Sequence, residues 1–195
     1  MSTFFRYNGA NISACFFMNH QYQDLILLFN ETFFEQYNTR LVKGGDEPFY
    51  QPKNEHCSYH QIIFARGFYA SAFHEIAHWC QAGKERRLLE DFGYWYIPDG
   101  RNEQQQKKFE QVEVIPQAIE WAFNVAAQKK FYVSSDNLDG FQGDTKGFKE
   151  NVFEQVTIYL QQGFPPRAQQ FMNALAQFYQ TPMPLTLAHF IKQEE

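Results

Sequence analysis

Gly67-Phe68-Tyr69-Ala70-Ser71-Ala72-Phe73-His74-Glu75-Ile76-Ala77-His78-Trp79-Cys80-Gln81-Ala82-Gly83 joins an apolar helical repeat to two histidines spaced four apart. Phe68, Ala72, Phe73, Ile76, Ala77 and Cys80 are placed for packing, so the stretch reads as a helix that Gly83 stops at its C-terminal end. A helix turns about 100° per residue, which brings His74 and His78 onto nearly one face, one turn apart, where both can bind a single metal ion. A His-Glu-x-x-His run is expected only ~0.01 times by chance in a chain of this size and composition. The competing reading is a pair of helix histidines satisfied by local hydrogen bonds. Neutral imidazoles suit zinc and iron alike, and a carboxylate from a distant segment would complete three protein ligands while leaving positions for water or substrate.

The segments on either side give the fold class. Leu25, Ile26, Leu28, Phe29, Phe33 and Tyr37 follow the three-four spacing of an amphipathic helix over Gln21–Tyr37. Thr39–Val42 is short and β-prone, Gly44–Pro48 breaks the chain into an extended stretch, and Gln61–Ala65 reads as a buried strand. Lys84–Glu90 has room for a further helical turn, and Ile97–Gly100 is a turn after the aromatic segment. Gln104–Ala127 is helical by composition but contains Pro116, which predicts an interruption, with ordered helix beginning only a few residues before it. Phe131–Val133 is β-like, and Phe148–Gln162 and Ala168–Tyr179 read as closing helices. The mixture predicts an α+β fold in which helix predominates.

The 195 residues suffice for one domain with a substantial core, supplied in part by 22 Phe and 11 Tyr. A net charge of -5 argues against a generally basic surface and so against nucleic acid as the partner. No uncharged apolar run reaches the ~20 residues of a membrane span, so no membrane association is expected. Three cysteines, Cys15, Cys57 and Cys80, without a C-x-x-C pair, suggest a reducing, cytoplasmic setting. Cys80 reads as a buried structural thiol and is left out of the site.

Candidates for the third ligand come from a polar stripe, Glu110, Glu113, Gln117 and Glu120, on an otherwise apolar segment flanked by Val112, Val114, Ile115, Ala118 and Ile119. A buried carboxylate is costly unless paired or metal-bound. Glu113 sits deepest in the apolar run and is the expected ligand, with Glu110 and Glu120 as alternatives otherwise read as a solvated face. Lys84, Arg86, Arg87 and Arg101, with Lys107 and Lys108, form a cationic cluster suited either to an acidic protein partner or to a plain solvated helix end. Tyr94, Trp95 and Tyr96 either line a substrate cleft or belong to the core.

Taken together, these segments resemble the bacterial elongation factor P hydroxylase family. The resemblance rests on Gly67–Cys80 with its two histidines, on Asn38-Thr39-Arg40-Leu41 with Glu47-Pro48, and on Asp91–Tyr96 with Pro98–Arg101. It also includes Val112-Glu113-Val114 with Pro116-Gln117-Ala118, and Asp136-Asn137-Leu138. It runs from about His20 to Tyr179 and leaves residues 1–17 without a counterpart, an extension that reads as a misassigned start with Met18 as the alternative. Residues 18–195 then form a single metal-dependent hydroxylase domain. The resemblance implies a zincin-like fold, a two-histidine-one-carboxylate set of His74, His78 and Glu113, and hydroxylation of the β-lysylated lysine of elongation factor P.

Two functions stay open at this stage. In one, Fe(II) on the three ligands activates dioxygen, and Glu75 is an acid/base or orienting group beside it. In the other, zinc occupies the same ligands and Glu75 is the general base of a metallopeptidase. A purely structural metal fits three ligands with open positions poorly. The His-x-Asp/Glu pattern of 2-oxoglutarate oxygenases is absent. A cationic substrate side chain predicts acidic and aromatic groups near the metal, with Tyr94, Trp95, Tyr96 and Asp99 as candidates, while Lys84, Arg86, Arg87 and Arg101 would meet the acidic body of the factor.

Overall fold

A computed structural model describes residues 20–93, 100–135, 137, 139–141 and 143–191. The first helix, α1 (Tyr22–Tyr37), buries Leu25, Phe29 and Phe33, the stripe its spacing predicts. It ends at Asn38 in the left-handed conformation, where the side-chain amide donates to Ser58 O and the carbonyl accepts from His60 N–H. One residue therefore stops the helix and starts the sheet.

That sheet has three strands, β1 (Thr39–Lys43), β2 (Phe49–Gln51) and β3 (His60–Phe64), in the order β1-β3-β2, with β1 parallel and β2 antiparallel to β3. Its register aligns Leu41, Ile62 and Tyr50 in one buried row. β2 has three residues, too few for an alternating pattern to stand out in the sequence. Gly67, at φ 78°, turns the chain from β3 into α2 (Tyr69–Gln81) against the ring of Tyr22.

α2 packs on β3 and against α1, α3 (Glu103–Ala126) and α5 (Pro166–Tyr179). The aromatic centre of the core forms there: Trp79 lies edge-on to Phe29, Phe33 and Tyr37, and Phe171 meets Phe29, Phe73 and Phe123. Cys80 is buried in the same cluster, as expected of a structural thiol. The helix α4 (Thr145–Gln162) and the short α6 (Leu187–Ile191) close the far side of α3. The result is α+β and mainly helical, and no described helix is long and apolar enough to cross a membrane.

Three expectations need correction. Pro116 does not interrupt α3, which begins 13 residues before it, at Glu103, behind an Asn102/Gln105 capping box. Every residue after Pro116 in that helix is buried, so tertiary packing offsets the missing backbone donor. Phe131–Val133 is not a strand: the Gln117 side chain donates to Ser134 O (2.7 Å) and accepts from Ser134 N–H (3.0 Å), occupying the backbone groups that follow it. Gly83 does not cap α2 in the left-handed region. The helix ends at Ala82 with extended ψ, and two arginines take its last carbonyls, Arg87 on Ala82 O and Arg167 on the oxygens of Trp79, Cys80 and Ala82.

Candidate metal centre

α2 carries His74 and His78 one turn apart, with their Nε2 atoms 3.1 Å from each other. α3 crosses α2 so that Glu113 enters from the opposite side, its Oε1 3.2 Å from His78 Nε2 and its Oε2 3.5 Å from His74 Nε2. Three potential ligand atoms therefore lie within 4.8 Å of one another. Glu113 is fully buried and His78 nearly so, whereas the His74 side chain keeps 28% of its surface in solvent. The centre thus opens on one side, past His74.

Both carboxylate oxygens of Glu113 are cut off from water, and the polar groups nearest them are the His78 and His74 ring nitrogens, with the Gln117 side chain beside them. A bare anion in an apolar interior costs several kcal/mol, roughly, unless a cation meets it. Here the atoms facing it are two imidazole nitrogens, and a divalent ion between two nitrogens and a carboxylate is a donor set that zinc and Fe(II) both accept. The residues present fit a metal ion.

The electrostatics agree. Burial alone would lower the His74 pKa, but the Glu113 and Glu120 carboxylates, with Glu75 behind them, push it up to about 10. Burial would raise the Glu113 pKa, yet the charges of His78 and His74 hold it down to about 2. The cluster attracts positive charge, and a metal ion would compete with the His74 proton for it.

The glutamate stripe resolves into three roles. Glu113 converges on the histidines. Glu110 is half-buried and accepts from Gln106 Nε2 at 3.0 Å, outside the cluster. Glu120, weighed as part of a solvated face, is instead 8% exposed, with Oε2 3.0 Å from His74 Nδ1. Its signal was present in the sequence: it follows Glu113 by seven residues, two turns along the same face. Stripe periodicity shows direction, but the depth comes from where α3 crosses α2. Of the flanks, Ala118 and Ile119 are buried, whereas Val112 is 38% exposed.

Glu75 is half-buried beside the centre, and burial is the main reason its pKa lies above the usual carboxylate range; Glu113 and Asp91 add to the rise and the two histidines oppose it. Tyr94, Trp95, Tyr96 and Asp99 lie outside the described residues. Arg101, expected on a docking surface, is 1% exposed. Its guanidinium reaches Gln106 Oε1 and Ser135 O and lies over the Phe109 ring. Its backbone exchanges two hydrogen bonds with the Asn137 side chain, so Arg101 and Asn137 are held side by side. Arg87 is likewise turned inward to cap α2, leaving Lys84, Arg86, Lys107 and Lys108 exposed from that cluster. Arg167 was not anticipated, and a lone arginine in the first turn of α5 gives no sequence signal for a partner 85 to 88 residues away.

Comparison with known proteins adds to this geometry. The Haemophilus influenzae protein named elongation factor P lysine hydroxylase is 57% identical over 173 residues, covering 89% of this chain and 97% of that protein. The profile of the family described as elongation factor P hydroxylase matches residues 28–190, a span that holds both histidines, Glu113 and the helices that position them. By both comparisons, the chain belongs to the elongation factor P hydroxylase family.

Proposed function

We propose that this chain hydroxylates the β-lysylated lysine of elongation factor P at a non-haem iron centre held by His74, His78 and Glu113. Membership of a hydroxylase family makes it a hydroxylating enzyme. The observation that carries the reading further is the fully buried Glu113 carboxylate facing two imidazole nitrogens. Fe(II) bound there supplies redox chemistry toward dioxygen that zinc lacks. A metal helix packed on a small mixed sheet, with the carboxylate arriving from the next long helix, supports a zincin-like reading of the fold.

The protein's own groups have separate tasks. His74 and His78 present neutral nitrogens, Glu113 supplies the balancing negative charge, and the exposed edge of His74 marks the side from which a substrate side chain enters. Glu75, its carboxyl pushed up by burial, can hold a proton beside the centre and return it when the reaction calls for it. Tyr94, Trp95, Tyr96 and Asp99 are proposed to receive the cationic lysine derivative, and Arg101 to fix the end of the segment that carries them. Elongation factor P, a translation factor, is the protein partner, which places the reaction in the cytoplasm.

The conversion inserts one oxygen atom of dioxygen into a C–H bond and reduces the other to water, with two electrons and two protons from a reductant, ascorbate in the assay. The test is mass spectrometry of the lysine-containing peptide of β-lysylated elongation factor P after incubation with the iron-loaded protein. A single added oxygen is expected, lost in His74→Ala and His78→Ala. An unchanged peptide mass, or cleavage of a polypeptide by the zinc-loaded protein, overturns the reading.

A further inference from the structure

We infer that Glu120 is a positioning residue for the metal centre: by accepting the Nδ1 proton of His74 it fixes that ring in the tautomer whose Nε2 lone pair faces Glu113 and His78. This rests on the proposed metal-binding role of His74, His78 and Glu113. The two ring nitrogens of His74 have different partners. Nδ1 lies 3.0 Å from Glu120 Oε2, while Nε2 lies 3.1 Å from His78 Nε2 and 3.5 Å from Glu113 Oε2. An imidazole that keeps its proton on Nδ1 offers only Nε2 as a donor to a metal, so the Glu120 bond selects which edge binds. Glu120 itself touches the far edge of the ring and is outside the group of residues that could jointly hold an ion. It acts through His74.

The placement of Glu120 is itself constrained. It is 8% exposed in the apolar second half of α3, between Ile119 and Trp121, and its carbonyl accepts from the Asn124 side-chain amide at 2.9 Å. His74 is the member of the centre with most exposure, 28% of its side chain, and would otherwise be the ring most free to rotate or switch tautomer. A carboxylate on the remote nitrogen also makes the ring a stronger donor, and loss of such a partner typically weakens metal binding by about 10–100-fold.

The test measures Co(II) binding to the full chain by competition with a chromophoric chelator, together with the His74 tautomer by two-bond ¹H–¹⁵N correlation on the diamagnetic zinc-loaded protein, where the metal has displaced the second ring proton. Glu120→Ala is expected to bind Co(II) about 10–100-fold more weakly and to shift His74 from one tautomer to a mixture. Glu120→Gln, which keeps a neutral acceptor at the same place, is expected to preserve the tautomer and recover much of the affinity, and it carries the test should the alanine variant not fold. In a His74→Ala background, Glu120→Ala should cause no further loss. Unchanged affinity and tautomer in Glu120→Ala overturn the assignment. A loss as complete as that of Glu113→Ala also overturns it, by making Glu120 a ligand. Full Co(II) occupancy in the His74, His78 and Glu113 alanine variants would instead sink the metal centre itself.

Discussion

Arg167→Ala should destabilise the protein by about 3 kcal/mol, a figure that follows from what its guanidinium touches. Its Nη2 lies 2.9 Å from Trp79 O, 3.0 Å from Cys80 O and 2.5 Å from Ala82 O, and its charge lies over the Trp79 ring at 4.8 Å. These carbonyls belong to the last turn of α2, which has no intrahelical donors and no left-handed glycine to close it. One nitrogen has two protons, so the contact counts as about two charged hydrogen bonds at roughly 1.5 kcal/mol each, with about 1 kcal/mol from the indole stack. Arg87 still donates to Ala82 O at 2.7 Å, and removing its like-charged neighbour relieves repulsion, which brings the sum of about 4 down to about 3 kcal/mol.

At roughly 2–4 °C per kcal/mol for a chain of this length, the melting temperature should fall by roughly 6–12 °C. Calorimetry and urea titration measure this directly. Arg167→Met, which keeps the stem against Trp79 but has no donors, should lose most of the same amount. Because His78 lies one turn before the capped end, and its carbonyl accepts the Ala82 N–H, the alanine variant should also bind Co(II) more weakly while still folded. A melting temperature within about 1 °C of the parent would refute the argument that arginines hold the end of this helix.

Glu75→Gln should retain metal yet lose roughly 100-fold or more in turnover, since the change keeps shape and removes only the proton-holding group; parallel metal analysis and single-turnover mass spectrometry separate the two effects. The metal-free protein should lose stability as pH rises from the ordinary histidine value of 6.5 through about 10, because His74 is the group whose folded pKa is raised. Glu113, whose folded pKa is lowered to about 2, contributes stability that is present above the ordinary carboxyl value of 4.5 and lost as pH falls toward 2. Metal affinity should move the other way from metal-free stability, rising over pH 6.5–10 as the His74 proton ceases to compete, and His74→Ala should flatten that slope in chelator titrations. Tyr69→Phe should cost about 1 kcal/mol in urea unfolding, because it removes one half of the 2.9 Å hydroxyl pair with Tyr179 that joins α2 to α5.

Where local spacing governs structure, the sequence could be read directly. Leu25, Phe29 and Phe33 recur at helical spacing and are all fully buried, and the pattern over Gly67–Gly83 holds both the helix and the two histidines. Where structure depends on a crossing, residue type and spacing yield several candidates for one place. Glu110, Glu113 and Glu120 are alike in type and face, and only the contact of α3 with α2 sends one to the histidine nitrogens, one to the back of His74 and one to Gln106. Pro116 misled for the complementary reason: its local penalty is real, but the buried half of α3 is held by α2, α4 and α5.

The cationic cluster shows the same limit from the side of charge. Arg87 and Arg101 are formally indistinguishable from Lys84 and Arg86 in a charge count, yet a guanidinium has five donors in a planar fork and can serve several carbonyls at once. Arg87 and Arg167 use that capacity at the C-terminal end of α2, and Arg101 uses it where the chain enters α3. The two helices that meet at the metal centre are therefore each anchored at one end by buried or half-buried arginine, α2 just past His78 and α3 three turns before Glu113. It follows that replacing Arg87 or Arg101 should disturb the geometry between the histidines and Glu113, whereas any electrostatic contact with an acidic partner from this cluster must fall to Lys84, Arg86, Lys107 and Lys108, the members that remain exposed.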